Sequence, residues 1–219
     1  HKLIEVLMLL ANETVAKFLI DNKLPGIFRN HAEPDLTRWS EVGKFLRQFA
    51  IKVPLKNTPS SLDMKKILDK ISQLDGGRII EQMVLRSLPQ ALYEANNKGH
   101  YGLAYKHYLH FTSPIRRYPD LMVHRILKTF IKNKKKVNTN LNRIAQHASF
   151  TERRAEQATR WVDAWAKVSY MKQHVGETHN GVITNVTNFG VFVDIHNFGI
   201  DGMVHVSKLP QDYYDYDSY

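Results

Sequence analysis

Apolar and polar positions recur along this chain in two rhythms, a helical one over most of its length and a strand-like one near its end. Leu3, Leu7, Leu10, Val15 and Phe18 fall at near-helical spacing with further apolar residues between them, which predicts a largely buried helix. Glu5 and Asn12 stand about two turns apart on it, project from similar faces and need polar partners if buried. Leu24, Pro25 and Gly26 break the pattern, and Ile27, Phe28 and Arg29 read as a short strand. Glu33-Pro34-Asp35 opens a helix through Trp39, Val42, Leu46 and Phe49, and residues 54–59 read as a loop. Ser60 or Ser61 caps a helix containing Leu62, Ile67, Leu68 and Ile71, and Gly76-Gly77 separates it from another over 79–88, stopped at Pro89. Residues 91–108 predict paired strands around the turn Asn97-Lys98-Gly99, with Tyr93 and Tyr101 either in the core or open to stacking.

Residues 99–125 concentrate the chemistry: His100, His107, His110 and His124 with Arg116, Arg117 and Arg125, interrupted by Tyr101, Tyr105, Tyr108 and Phe111. A rough alternation before Ser113 fits a strand. Ser113-Pro114 reads as a helix start, with the hydroxyl as N-cap and proline at the first helical position. Arg116, Asp120 and His124 then share one face at i, i+4, i+8. Free N–H groups at a helix start, with two guanidinium forks beside them, make a phosphate site. The alternative is a surface salt bridge from Arg116 to Asp120 with buried histidines.

Thr139 or Asn140 caps a long helix whose apolar stripe is Leu141, Ala145, Ala148, Ala155, Ala158, Val162 and Trp165. Arg143, Arg153, Arg154 and Arg160 lie largely off that stripe, facing either a polyanion or solvent. The run Lys132-Asn133-Lys134-Lys135-Lys136 reads as a solvated loop. Gly176 marks a domain boundary, and residues 181–186, 191–195 and 200–206 alternate like three antiparallel strands, the first two joined at Asn188-Phe189-Gly190.

Charge sharpens this picture. The net charge is +10, yet residues 176–219 carry one base, Lys208, against six acids, while the first 175 residues carry 30 bases and 15 acids. A basic body favours a polyanion, nucleic acid ahead of anionic membrane. With no cysteine, disulfides and thiolate metal sites are excluded, which suits a reducing, cytoplasmic setting. The first residues carry no initiator Met and already read as helical, as expected of a cut inside a domain. No run of 18 apolar residues occurs, so no membrane-spanning helix is expected.

The runs Gly99-His100-Tyr101-Gly102-Leu103-Ala104 and His110-Phe111-Thr112-Ser113-Pro114-Ile115-Arg116-Arg117-Tyr118-Pro119-Asp120 resemble a signature of the RNase II / RNase R family, the RNB exoribonucleases, nearest its RNase R branch. Residues 3–12 and 151–156 resemble two further family segments, and the chain from Gly176 resembles the S1-type RNA-binding domain. The family often has a second glutamate where Val6 stands here. The resemblance implies an α+β architecture: a helix-rich second half of an RNB catalytic domain over 1–175, then the start of an antiparallel oligonucleotide-binding barrel over 176–219. It implies a hydrolytic, processive 3′→5′ exoribonuclease that degrades single-stranded RNA to nucleoside 5′-monophosphates, monomeric at full length and without a membrane partner. A non-catalytic RNA-binding relative and a basic helical adaptor are the alternatives.

By that resemblance Arg116 holds the scissile phosphate, and Glu5, Asn12, Tyr101, Ser113, Arg117, Arg125, Phe189, Phe192 and His205 bind RNA. Glu5 would read a ribose hydroxyl, His100, His110 and Asp120 would support the site from behind, and Phe192 is otherwise barrel core. Magnesium would be held by closely spaced aspartates. No D-x-D or D-D pair occurs in the first 175 residues, and Asp212, Asp215 and Asp217 lie in a tyrosine-rich turn. The family's aspartates would lie upstream of His1, so no metal ligand is expected in this chain and by itself it is expected to be inactive.

Overall fold

The computed structural model describes residues 1–74, 76–133, 141–195, 198–210 and 212–216. Asp217, Lys134 to Lys136 and the helix-cap candidates Thr139 and Asn140 lie outside the described residues. The chain divides into two compact units, His1–Arg154 and Ala155–Tyr219.

The first unit opens with helix α1, Lys2–Asp21. Its second half buries Asn12, Ala16 and Leu19, but its first half stands in solvent, with Leu3 71% exposed. The expectation of a largely buried helix is corrected here: an all-round apolar pattern shows that a helix needs covering, not which side this chain covers. Pro25 and Gly26 then turn the chain into strand β1, Phe28–Asn30.

Strand β1 pairs antiparallel with β2, Leu92–Glu94, with Arg29 opposite Tyr93. Phe28 bridges Leu109 on its other side, and the Arg29 N–H donates to the Tyr108 carbonyl. Both flanks of the predicted 91–108 pair therefore run along β1 instead of along each other. The buried Asn30 explains the bend between them: its amide donates to Glu94 Oε2 at 2.6 Å and to the Asn96 carbonyl at 2.8 Å, and its Oδ1 accepts from the Lys98 N–H at 3.0 Å. Residues 100–105 are not the expected strand; Tyr101–Leu103 form a 3₁₀ turn closed by the His100 imidazole on the Leu103 N–H.

Three helices follow their sequence signals. Asp35 caps α2, Leu36–Arg47, accepting from the Thr37 and Arg38 N–H groups. Ser60 caps α3, Ser61–Ile71, and Gly76 adopts φ +72° ahead of α4, Gly77–Ser87. Their apolar faces close a core on Trp39, Leu46, Ile71 and Val84. A separate core joins Leu19, Ile27, Phe28 and Leu109 to Val123 and Ile126 of helix α5, Tyr118–Asn133, and to Leu141, Ala145 and Ala148 near helix α6, Asn142–Met171. Fully buried aliphatics such as Leu19, Ile27 and Leu109 each contribute roughly 1.5–3 kcal/mol. The stripe predicted on α6 is buried only at its start, and Trp165 is 72% exposed.

In the second unit, strands β3 (Val182–Thr187), β4 (Gly190–Ile195) and β5 (Ile200–His205) form an antiparallel sheet in sequence order. The bounds match the predicted strands within about a residue at most ends. A Cβ on Gly190 would lie 2.3 Å from the Val204 carbonyl oxygen, so the hairpin after Asn188-Phe189 needs glycine there. No helix among the described residues is long and apolar enough to cross a membrane.

Candidate nucleic-acid interface

Asn12 and Asp120 are polar side chains buried where α1 and α5 meet the segment 108–117, and both hold that segment. Asn12 Oδ1 accepts from the Phe111 N–H at 2.9 Å, and its amide donates to the Tyr108 hydroxyl at 3.2 Å. Asp120 is 0% exposed. Its Oδ1 accepts from the Ser113 N–H at 2.8 Å and from Arg117 through Nη2 at 2.8 Å and Nε at 3.2 Å. Its Oδ2 is buried with no hydrogen-bond partner. His124 stacks flat on Phe111 at 4.1 Å, and its Nε2 lies 2.9 Å from the Phe111 carbonyl.

This geometry corrects two expectations. Asp120 pairs with Arg117, three residues away, and not with Arg116, four away; both spacings share a helix face, so spacing alone does not choose. Ser113 and Pro114 also precede the helix instead of starting it. The Arg116 and Arg117 N–H groups close a turn on the Ser113 carbonyl, and α5 begins at Tyr118. The pull of the buried carboxylate on both Ser113 and Arg117 bends 113–117 into that turn. The Ser113, Arg116 and Arg117 N–H groups are thereby taken by internal acceptors. Arg116 is exposed on the tip of the turn beside the fully exposed Ile115, and Arg125 is exposed about two turns into α5.

Behind the turn stands a wall that the sequence did not reveal. The Arg29 guanidinium lies 4.5 Å over the Tyr93 ring and pairs with Glu152 at 2.5 Å. The Tyr93 hydroxyl lies 2.8 Å from His110 Nδ1. Burial pushes Tyr93 up to about 12, the nearby Arg29 opposing this only in part. Burial first, then the Arg117 and Arg29 charges, holds His110 down at about 3. His100 is lowered to about 4, again by burial and then by His31 and Arg29. These histidines are neutral at pH 7, so the fixed positive charge here is guanidinium. Arginine and glutamate separated by more than a hundred residues leave no local signal; alternating aromatic and basic residues on short strands were the one available hint.

The remaining candidates divide by exposure. Glu5 is exposed on the open half of α1, so it and Asn12 do not share an environment. Tyr101 is corrected from RNA contact to core: it packs with Trp39 and Ile71, and its hydroxyl donates to the Pro59 carbonyl at 2.9 Å. Burial, with Glu33 and Asp63 adding, raises it to about 12. In the second unit Phe192 pairs with Met203, and Gly190 with His205, so Phe192 and His205 are diagonal neighbours on one sheet face. Phe189 is 46% exposed and meets Phe192 edge to face at 6.2 Å. His205 is exposed, with Nδ1 2.9 Å from the Ser207 hydroxyl.

The family model described as RNB domain matches residues 1–133, more than half of the chain. The chain belongs to the RNB family. A model described as S1 RNA binding domain matches residues 172–219. Ribonuclease R of Buchnera aphidicola (subsp. Schizaphis graminum) is 43% identical over 100% of this chain and 31% of its own length. Ribonuclease R of Escherichia coli K12 is 39% identical over 99% of this chain and 28% of its own. Mycoplasma genitalium RNase R in complex with ribose methylated single-stranded RNA superposes with a TM-score of 0.90 at 28% identity, covering 98% of this chain and 35% of that one. Yeast Ssd1, a pseudonuclease, superposes at 0.76 with 26% identity, over 94% of this chain and 27% of that one. This RNB chain thus spans about three-tenths of the length of the curated relatives it matches.

RNB nucleases depend on a metal. Among the described residues, the only cluster of metal-ligating side chains is His174, Glu177 and His179, in the second unit. Two imidazoles and one carboxylate do not make the oxygen cage that magnesium demands. The described residues do not fit that ion.

Proposed function

We propose that this chain forms the RNA-holding part of a processive, hydrolytic 3′→5′ exoribonuclease acting on single-stranded RNA, with Arg116 on the phosphate that is cut. The observation that carries this reading is the division of labour between adjacent arginines: Arg117 is tied to buried Asp120, and Arg116 is exposed on the turn that this pair fixes. A guanidinium held out by a rigid turn can take a phosphate through two parallel hydrogen bonds and stabilise developing negative charge. Arg125 adds charge along α5, while Arg117 and Ser113 position the turn. Phe189, Phe192 and His205 offer a second surface, where bases stack without sequence preference. Nucleoside 5′-monophosphates are the proposed products, and magnesium the ion of the whole enzyme.

The test is a replacement. Exchanging the corresponding segment of E. coli ribonuclease R for these 219 residues should yield an enzyme that shortens labelled single-stranded RNA from its 3′ end. A folded chimera that binds RNA but releases no mononucleotide would favour the second reading, RNA binding without cleavage, which the likeness to the pseudonuclease Ssd1 keeps in view. A folded chain without salt-dependent RNA binding would leave the adaptor reading.

A further inference from the structure

Histidine, glutamate and histidine at positions 174, 177 and 179 serve neither the Asp120 turn nor the β3–β5 face, yet the second unit gathers them into one cluster. Helix α6 ends at Met171, a 3₁₀ turn covers Lys172–His174, and Gly176 at φ +97° folds the chain back before β3. His174 Nδ1 then lies 2.9 Å and His179 Nε2 3.3 Å from the same oxygen, Oε2 of Glu177. One ligating atom from each of the three lies within 4.8 Å of the others. Both imidazoles are held by rings: His174 by Tyr170 at 4.9 Å and Phe198 at 5.2 Å, His179 edge-on to Phe198 at 5.1 Å. Phe198 is itself fixed by its N–H on the Ile195 carbonyl.

We propose that His174, Glu177 and His179 bind a zinc ion. Zinc takes imidazole nitrogen at about 2.0–2.1 Å and carboxylate oxygen at about 2.0–2.2 Å, so donors at tetrahedral angles sit roughly 3.3–3.5 Å apart. The His179–Glu177 separation of 3.3 Å already has this value, and the His174–Glu177 separation needs only a small carboxylate rotation. A purely structural Glu177, hydrogen-bonded to both histidines, would place both ring nitrogens in line with its oxygen. His179 Nε2 is not so aligned: it is sealed from solvent, has no hydrogen-bond partner, and belongs to a side chain only 19% exposed. Two borderline nitrogen donors and one carboxylate select zinc over magnesium or calcium. Three protein donors leave a fourth position for water. The ion ties the end of α6 to the start of β3, where the S1 match begins.

The test uses the 219-residue chain, stripped with a chelator and titrated calorimetrically with zinc sulfate. One zinc per chain should bind at about micromolar affinity or tighter, undisturbed by excess magnesium. Cobalt in its place should show the intense visible bands of a four-coordinate ion. E177Q changes a half-exposed side chain and H179Q a donor, and each should weaken binding at least about tenfold, while H147Q, an exposed histidine on α6, should leave it unchanged. Zinc should raise the unfolding temperature of the wild type and not of E177Q. Absence of saturable uptake, displacement by magnesium, or undiminished binding in the H174Q/H179Q double variant would overturn the proposal.

Discussion

Around Asp120 the chain buries its polar groups and holds the Arg116 guanidinium out; on the β3–β5 sheet it leaves its aromatic and imidazole groups in the open. The first region fixes geometry, because a carboxylate fully out of water permits few positions for Ser113 and Arg117. The second offers area, because Phe189 and His205 hold little of the fold together. A substitution in the first should therefore be read out as stability before function, and one in the second as affinity with stability intact. The comparison fails if both regions respond alike.

The sharpest way to break it is Asp120→Ala. The change leaves the Arg117 guanidinium and the Ser113 N–H without their acceptor. Breaking a buried pair costs about 3–5 kcal/mol, and the partial exposure of Arg117 places this case near the lower end, about 3 kcal/mol. Urea unfolding of the chain measures it; a loss under about 1 kcal/mol would mean that the turn is held by something else.

Acid should act on the same region next. The unfolded His110 takes up a proton below about pH 6.5, while the folded one, held at about 3, does not. Its stabilisation is therefore complete above pH 6.5 and falls as pH drops toward 3. Between pH 8 and pH 5 it should account for roughly 2 kcal/mol, and His100, lowered to about 4, shifts in the same direction. His110→Phe should flatten the fall in unfolding free energy over that window. An unchanged slope would place the acid sensitivity outside the Tyr93–His110 wall.

These two predictions rest on contacts that were only partly legible in sequence. The caps at Asp35 and Ser60, the chain break at Leu24-Pro25-Gly26 and the three-strand pattern were legible, because each is a local bargain between a side chain and its nearest backbone. What joins distant residues was not. β1 and β2 pair across more than sixty residues, and Arg29 finds Glu152 from the far end of the unit. The Arg117–Asp120 pair lay hidden between two equally good helix spacings. The exposure of the first half of α1 is not legible either, because the apolar character of Leu3, Leu7 and Leu10 says nothing about what lies beside them. In the candidate site, no local pattern says that Tyr101 lies in the core or that Asn12 clamps Tyr108 and Phe111, because both depend on partners far away in sequence.

On the sheet, Phe189→Ala should leave the unfolding midpoint within error and weaken binding of single-stranded RNA by about 1–3 kcal/mol, toward the lower end because Phe192 and His205 remain. Fluorescence anisotropy with the RNB–S1 chimera reads the affinity. Loss of the sheet instead would make Phe189 a packing residue and erase the contrast between the two regions.

Arg116→Lys carries the most specific reading. Lysine keeps the charge on the tip of the turn and lacks the planar fork, so it can meet a phosphate oxygen as a point charge but cannot hold two oxygens in parallel. The Asp120–Arg117 pair does not involve this residue, so stability should be unchanged. In the chimera the cleavage rate should fall at least about tenfold, on the order of 1.4 kcal/mol of transition-state stabilisation, while RNA affinity changes little because many other bases share the backbone. Arg117→Lys should show the inverse pattern, losing stability first, because its Nε and Nη2 both reach Asp120 Oδ1. If Arg116→Lys melts the protein while rate per folded molecule holds, the exposed arginine belongs to the fold. If affinity collapses at constant rate, Arg116 grips the RNA backbone generally and the cut phosphate is stabilised by another group.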